Sequence, residues 1–83
     1  MSLLIDVRTH EEFEERSAPG AVNISLDDIL AGDLGVLEEM PKDTPLHLYC
    51  RSGSRSETAQ EVLYSFGFTD VANLGGLDDV EGV

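Results

Sequence analysis

Short apolar runs alternate with short amphipathic ones along the whole chain. Leu3-Leu4-Ile5-Asp6-Val7 is apolar and partly β-branched, which predicts a strand buried on both faces and interrupted by one carboxylate. Thr9-His10-Glu11-Glu12 has the form of a capping box. It predicts a helix to about Arg16, with Phe13 as the apolar anchor and Glu11, Glu12, Glu14 and Glu15 as a solvated face. Ala18-Pro19-Gly20-Ala21 predicts a turn, and Ala21 to Ile24 a second short strand. Ser25 with Asp27 and Asp28 predicts one turn of helix through Leu30, ended by Ala31-Gly32-Asp33. Leu34, Leu37 and Met40 recur at helical spacing, so another short helix is predicted before the loop Pro41 to Pro45.

The second half is simpler. Leu46-His47-Leu48-Tyr49 predicts a buried third strand. Ala59, Val62, Leu63 and Phe66 form one apolar stripe, predicting a helix over Glu57 to Phe66 with a second capping box made by Ser54 and Glu57 and a stop at Gly67. A last short strand is predicted around 70–73. Gly75-Gly76 then reads as a tight turn where backbones approach closely, and Leu77 to Val83 as a loose acidic tail. Alternating strands and helices of these lengths predict a small α/β domain, one unit over 1–83, built on a parallel sheet of about four strands with helices on both faces.

Composition changes the picture in one respect. The formal net charge is −12, with seventeen acidic residues against five basic ones. Nucleic acid and anionic membrane surfaces both need basic patches, so neither is an expected partner. The ordinary consequence of such a charge is a well-solvated, soluble surface; adaptation to high salt is the sharper alternative. No apolar run approaches the roughly 20 residues that span a bilayer. The expected location is the cytoplasm, or the periplasm if a signal segment has been removed. The glutamates near Phe13 have no matching histidines, and no metal site is predicted. Asp6, inside a buried run, needs donors or a cation. Arg8 stands two residues on, and the two are read as structural support rather than as catalysts.

One stretch carries candidate chemistry. Cys50-Arg51-Ser52-Gly53-Ser54-Arg55-Ser56 holds the only cysteine, between a predicted strand and a predicted helix. Ligands of parallel sheets bind beyond the C-terminal strand ends, where Cys50 falls. A helix N-terminus, Arg51 and Arg55, and a backbone able to curl at Gly53 all favour a thiolate and an anionic substrate. Phosphatases that use a cysteine and an arginine space them one residue wider. The four residues between Cys50 and Arg55 make a tighter cradle, suited to one extra sulfur.

The chain resembles the single-domain rhodaneses, and most of all the minimal phage-shock type. Leu4 to Arg8 with Glu11-Glu12-Phe13, Pro19 to Ile24, Tyr49 to Ser56, and Gly67-Phe68, Val71 and Leu74 to Leu77 match that family's pattern in order. Two departures stand out: Arg16-Ser17-Ala18 replaces the usual Gly-His, and no tryptophan follows Gly75-Gly76. The resemblance implies a thiosulfate-type sulfurtransferase. In it Cys50 is the nucleophile and carries a persulfide, Arg51 and Arg55 bind the anionic sulfur donor, and Ser52, Gly53, Ser54 and Ser56 shape the loop that stabilises the persulfide. The acceptor is a thiol or cyanide, no cofactor is implied, and a monomer is expected. The competing readings are a non-catalytic or redox-sensing module on the same fold, and a phosphatase or arsenate reductase, against which the loop spacing speaks.

Overall fold

Period-two alternation sorts the strands into two unlike faces. Leu3, Ile5, Val7, Leu46, Leu48, Cys50 and Val71 pack into one apolar cluster, whereas Leu4 and Tyr49 join a smaller cluster on the opposite side. The computed structural model describes residues 2–81. Its strands are β1 (Leu3–Asp6), β2 (Val22–Asn23), β3 (Leu46–Cys50) and β4 (Val71–Gly76). They form one wholly parallel sheet in the order β2-β1-β3-β4. The helices are α1 (His10–Glu15), α2 (Leu26–Leu30), α3 (Ser54–Ser65) and α4 (Leu77–Glu81), with a 3-10 helix at Gly35–Glu39. The predicted small α/β sheet with helices on both faces is therefore present.

The larger cluster lies beneath α2, α3 and the 3-10 helix, through Ile29, Leu34, Leu37, Ala59 and Leu63, all buried. Burying each of these leucine and isoleucine side chains contributes about 1.5–3 kcal/mol. The opposite face is covered by Leu77 and Val80 of α4 and by Ala18. Among the described residues, no helix is long and apolar enough to cross a membrane.

Several local expectations hold for their stated reasons. Thr9 caps α1 with both bonds of the capping box, and Ser25 caps α2 through the Asp28 N–H. Gly67, at φ 101°, ends α3. Its N–H bonds Tyr64 O while the Phe68 N–H bonds Leu63 O, the paired closure of a Schellman motif. Others are corrected. Phe13 is only half-buried and α1 buries no residue, so α1 is held by polar contacts rather than by an apolar anchor. Ser54 already lies inside α3; Gly53, in the left-handed region at φ 95°, is the N-cap, and no side chain caps that end. Phe66 is 39% exposed and leaves the stripe. Gly75-Gly76 is not a tight turn but the end of β4, and 77–81 is a helix rather than a loose tail because Leu77 is buried against Tyr49 and Ala18. Gly82 and Val83 lie outside the described residues.

β4 carries one residue more than its partner. Leu48 pairs with Asn73 but Cys50 pairs with Gly76, so a bulge falls between them, with Gly75 at φ 93°. On β4, an edge strand, the Val71 carbonyl accepts from Gln60 Nε2 (2.6 Å) and Tyr64 Oη (2.9 Å) of α3.

Asp6 is wholly buried and fully satisfied. It accepts from the Arg8 N–H (2.9 Å), from Arg8 Nε (3.0 and 3.1 Å), from an Arg8 terminal nitrogen (2.7 Å) and from Tyr49 Oη (2.9 Å). Tyr49 Oη accepts in turn from the Ala18 N–H at 3.0 Å. Burial raises the Tyr49 pKa, so the hydroxyl stays protonated and able to donate. Removing one member should therefore leave buried partners stranded. Tyr49→Phe is expected to lower unfolding free energy in urea by about 1–3 kcal/mol, and Asp6→Ala, which isolates the guanidinium, by about 3–5 kcal/mol. A loss below the first range in both variants would show that the network contributes little.

Candidate active site

Cys50 ends β3, a central strand, and the chain passes through three residues into α3. Gly53 makes the turn possible. Its positive φ suits a residue without a side chain, and a Cβ there would sit 3.3 Å from Gly75 Cα. Gly76 is tighter still, since a Cβ would come within 2.4 Å of the Arg51 carbonyl oxygen. The two glycines at the end of β4 thus let that strand press against the cysteine loop. Close approach was legible in the sequence; its form, a bulged strand rather than a turn, was not.

The Cys50 sulfur is fully buried and is the centre of the loop's donors. The Gly53 N–H points at Sγ from 3.0 Å, and Ser56 Oγ lies 3.6 Å away. Burial pushes the thiol pKa up, but hydrogen bonds from the Ser56 hydroxyl and from the N–H groups of Ser56, Ser52 and Gly53 outweigh it, and the pKa is lowered. These groups belong to the first turn of α3 and the loop before it, where N–H groups have no helical partner. Donors from the backbone and Ser56, more than the arginines, favour the thiolate. Ser52 and Ser54 are exposed, with their hydroxyls 3.4 Å apart.

The two loop arginines are placed differently. Arg55 is held in a two-pronged ion pair by Glu12 of α1, with nitrogen-to-oxygen distances of 2.7 and 3.0 Å. Glu12 is therefore not part of a solvated face, and Arg55 is engaged with it rather than unpaired. The Arg55 hydrogen bond holds the Glu12 carboxyl down at about 2, against an ordinary 4.5. Arg51 is exposed and, among the described residues, has neither a carboxylate nor a ring partner. It lines a cleft of about 310 Å³ together with Arg8, Glu12, Glu15, Arg16, Leu77 and Asp78. Asp6 and Arg8 lie on the other face of the sheet from Cys50, as a brace. No cluster of histidine, cysteine or carboxylate side chains able to hold a metal occurs among the described residues.

One residue of the site escaped the sequence reading. Asn73 of β4 accepts from Ser56 Oγ at 2.6 Å and from the Gly75 N–H at 2.9 Å, and donates through Nδ2 to Gly53 O at 3.0 Å. The available signal was a lone amide in a short apolar strand two residues before a glycine, the position from which Asn closes a turn on its own backbone.

A family model described as a rhodanese-like domain matches residues 1–82. The thiosulfate sulfurtransferase PspE of Escherichia coli (strain K12) is 34% identical over 76 residues, covering 92% of this chain and 71% of that protein. The adenylyltransferase and sulfurtransferase UBA4 of Meyerozyma guilliermondii is 35% identical over 78 residues, but the chain spans only 18% of its length. A solved rhodanese with anions from E. coli superimposes with a TM-score of 0.79 at 32% identity, covering 96% of this chain and 92% of that one.

Two outcomes follow from the geometry. The folded Glu12 carboxyl has a pKa below its unfolded value, so the stabilisation from its pair with Arg55 is present above about pH 4.5 and fades as pH falls toward about 2. Glu12→Gln should cost about 1 kcal/mol near neutral pH and flatten that part of the stability–pH curve; an unchanged curve would show the pair to be inert. Gly76→Ala should lose about 1–3 kcal/mol and raise the Cys50 pKa, because the clash is with backbone and the loop itself must move. Thermal melts and the pH dependence of thiolate ultraviolet absorbance check both.

Proposed function

The chain belongs to the rhodanese-like domain family, and from that premise we propose that it is a sulfurtransferase that carries a sulfane sulfur on Cys50. The observation that carries this reading is the Gly53 N–H aimed at Sγ from 3.0 Å, at the junction of a parallel strand and a helix N-terminus. The lowered thiol pKa raises the fraction of thiolate near neutral pH, and the thiolate is the reactive form.

The donor is thiosulfate or a similar anion. The Cys50 thiolate attacks the outer sulfur; a new S–S bond forms, the S–S bond of thiosulfate breaks, and sulfite leaves with the electron pair. The product is a persulfide whose terminal sulfur carries the negative charge, and splitting the transfer into two steps is the gain of a covalent intermediate. The N–H groups of the loop, with the Ser56 hydroxyl, are the donors for that charge. An acceptor, a thiol or (in an assay) cyanide, then attacks the terminal sulfur and returns Cys50 as thiolate. Arg51 meets the donor's sulfonate, since its guanidinium fork is exposed and suits those oxygens. Arg55, tied to Glu12, orients the loop instead.

Burial of Cys50 favours one second reading, a carrier that shelters the persulfide and passes it to a protein acceptor. Turnover separates the two. Steady sulfur transfer to cyanide or dithiothreitol marks the enzyme; a single loading that only a protein acceptor discharges marks the carrier.

After incubation with thiosulfate, the intact mass is expected to rise by one sulfur atom, and Cys50→Ser to show no rise. Arg51→Ala is expected to raise the KM for thiosulfate several-fold with little change in kcat, as the loss of a binding contact does. Failure to load from thiosulfate and from polysulfide alike would overturn the reading.

A further inference from the structure

Ser56 has one hydroxyl proton and three acceptors within range. Asn73 Oδ1 lies 2.6 Å from its oxygen, the Gly53 carbonyl 3.0 Å and Cys50 Sγ 3.6 Å. A hydroxyl donates to one of these at a time. A neutral thiol is a weak acceptor and a thiolate a strong one, because a hydrogen bond to an ionised group is about twice as strong as one to a neutral group. The Ser56 hydroxyl therefore donates to Asn73 while the sulfur is neutral and turns to the sulfur when it is charged.

Asn73 is built to permit this exchange. Its Oδ1 keeps the Gly75 N–H at 2.9 Å whether or not Ser56 donates, so no buried acceptor is stranded. Its Nδ2 holds the Gly53 carbonyl at 3.0 Å, which also accepts from the Glu57 N–H at 3.0 Å. With that carbonyl fixed, the Gly53 N–H stays directed at Sγ. The orientation of the amide is forced: Gly75 N–H can only donate and Gly53 C=O can only accept, so a flipped Asn73 would lose both bonds.

We propose that Asn73 is a positioning residue for Cys50, aiming two donors at the sulfur through Ser56 and Gly53 and accepting the Ser56 hydrogen bond whenever the sulfur is uncharged. The consequence for sulfur transfer rests on the reading of Cys50 as the sulfur-bearing nucleophile; the effect on the thiol itself does not. The charged groups around the loop are Arg51 and Arg55, Glu57 in the first turn of α3, Arg8 beyond β1, Glu12 of α1, and Asp79 of α4, whose carboxylate accepts from the Gly76 N–H. Replacing Asn73 by Ala changes none of these charges.

The test is the pH dependence of thiolate ultraviolet absorbance, read against Cys50→Ser; as the only cysteine, Cys50 gives a single titration. Asn73→Ala removes an acceptor that favours the neutral thiol but also the two bonds that aim Ser56 and Gly53 at the sulfur; the loss of aim is expected to prevail and raise the midpoint by about one pH unit, tenfold less thiolate at neutral pH. Ser56→Ala should do the same, and the double variant should shift by less than the sum, since the two act through a shared donor. Asn73→Asp keeps the oxygen that accepts from Ser56 and Gly75 but loses the Nδ2 donor to the Gly53 carbonyl, and should shift at least as far upward, its carboxylate holding the Ser56 hydroxyl and adding a negative charge. A native midpoint in Asn73→Ala overturns the proposal, as does full additivity with Ser56→Ala. Should Asn73→Ala not fold, a native midpoint in Asn73→Asp overturns it equally. No sulfur donor enters the measurement, so failure here and failure of persulfide loading are separate results.

Discussion

A carboxylate buried away from solvent must be surrounded by donors, and Asp6 meets that requirement by drawing three separate parts of the chain together. It takes bonds from the Arg8 backbone and guanidinium, which fixes how the chain leaves β1. It takes one from Tyr49, which fixes the end of β3. Through Tyr49 Oη it reaches the Ala18 N–H, and through Arg8 the carbonyl of Arg16, so the segment after α1 is pinned to the same point. With one residue wrong, the remaining groups would be left polar, buried and unpaired. A chain this small has few other ways of fixing its loops, because its apolar core is limited.

The sheet then divides two kinds of chemistry between its faces. Tyr49 and Cys50 are neighbours, and alternation sends the first into the ionic brace and the second into the apolar side beneath α3. The thiol is thereby set in surroundings that by themselves disfavour its charged form, and the donors of the loop reverse that preference locally. The sulfur itself is buried, and the carboxylate of Glu12, which reaches the loop from α1, is neutralised by Arg55.

What could be read from the sequence was what local rules determine. The strands at Leu3 and Leu46, the Thr9 and Ser25 caps, the stop at Gly67 and the cysteine turn each follow from a few adjacent residues. The parallel sheet followed from their alternation. The misses share a different cause. Glu12 looked solvated because its partner, Arg55, is distant in sequence and arrives only when α1 folds over the loop. Ser54 looked like a cap because the signature S-x-x-E was there, but Gly53 takes the left-handed conformation one residue earlier and starts the helix sooner. The end of the chain looked loose on composition alone, yet Leu77 finds Tyr49 and Ala18 on the far face of the sheet. Asn73 gained its role only through pairing of β4 with β3, which sets it beside Ser56 and Gly53.

The bulge in β4 has a bearing on the sheet's outer limit. An added residue breaks the even spacing on which a further strand would have to align. Upstream of it, α3 already occupies the outward carbonyl of Val71 with Gln60 and Tyr64. The same irregularity that brings two glycines against the cysteine loop therefore also makes this border a poor template for another chain. The edge-to-edge association that threatens open sheets is thereby hindered along the border that lies beside the cysteine loop.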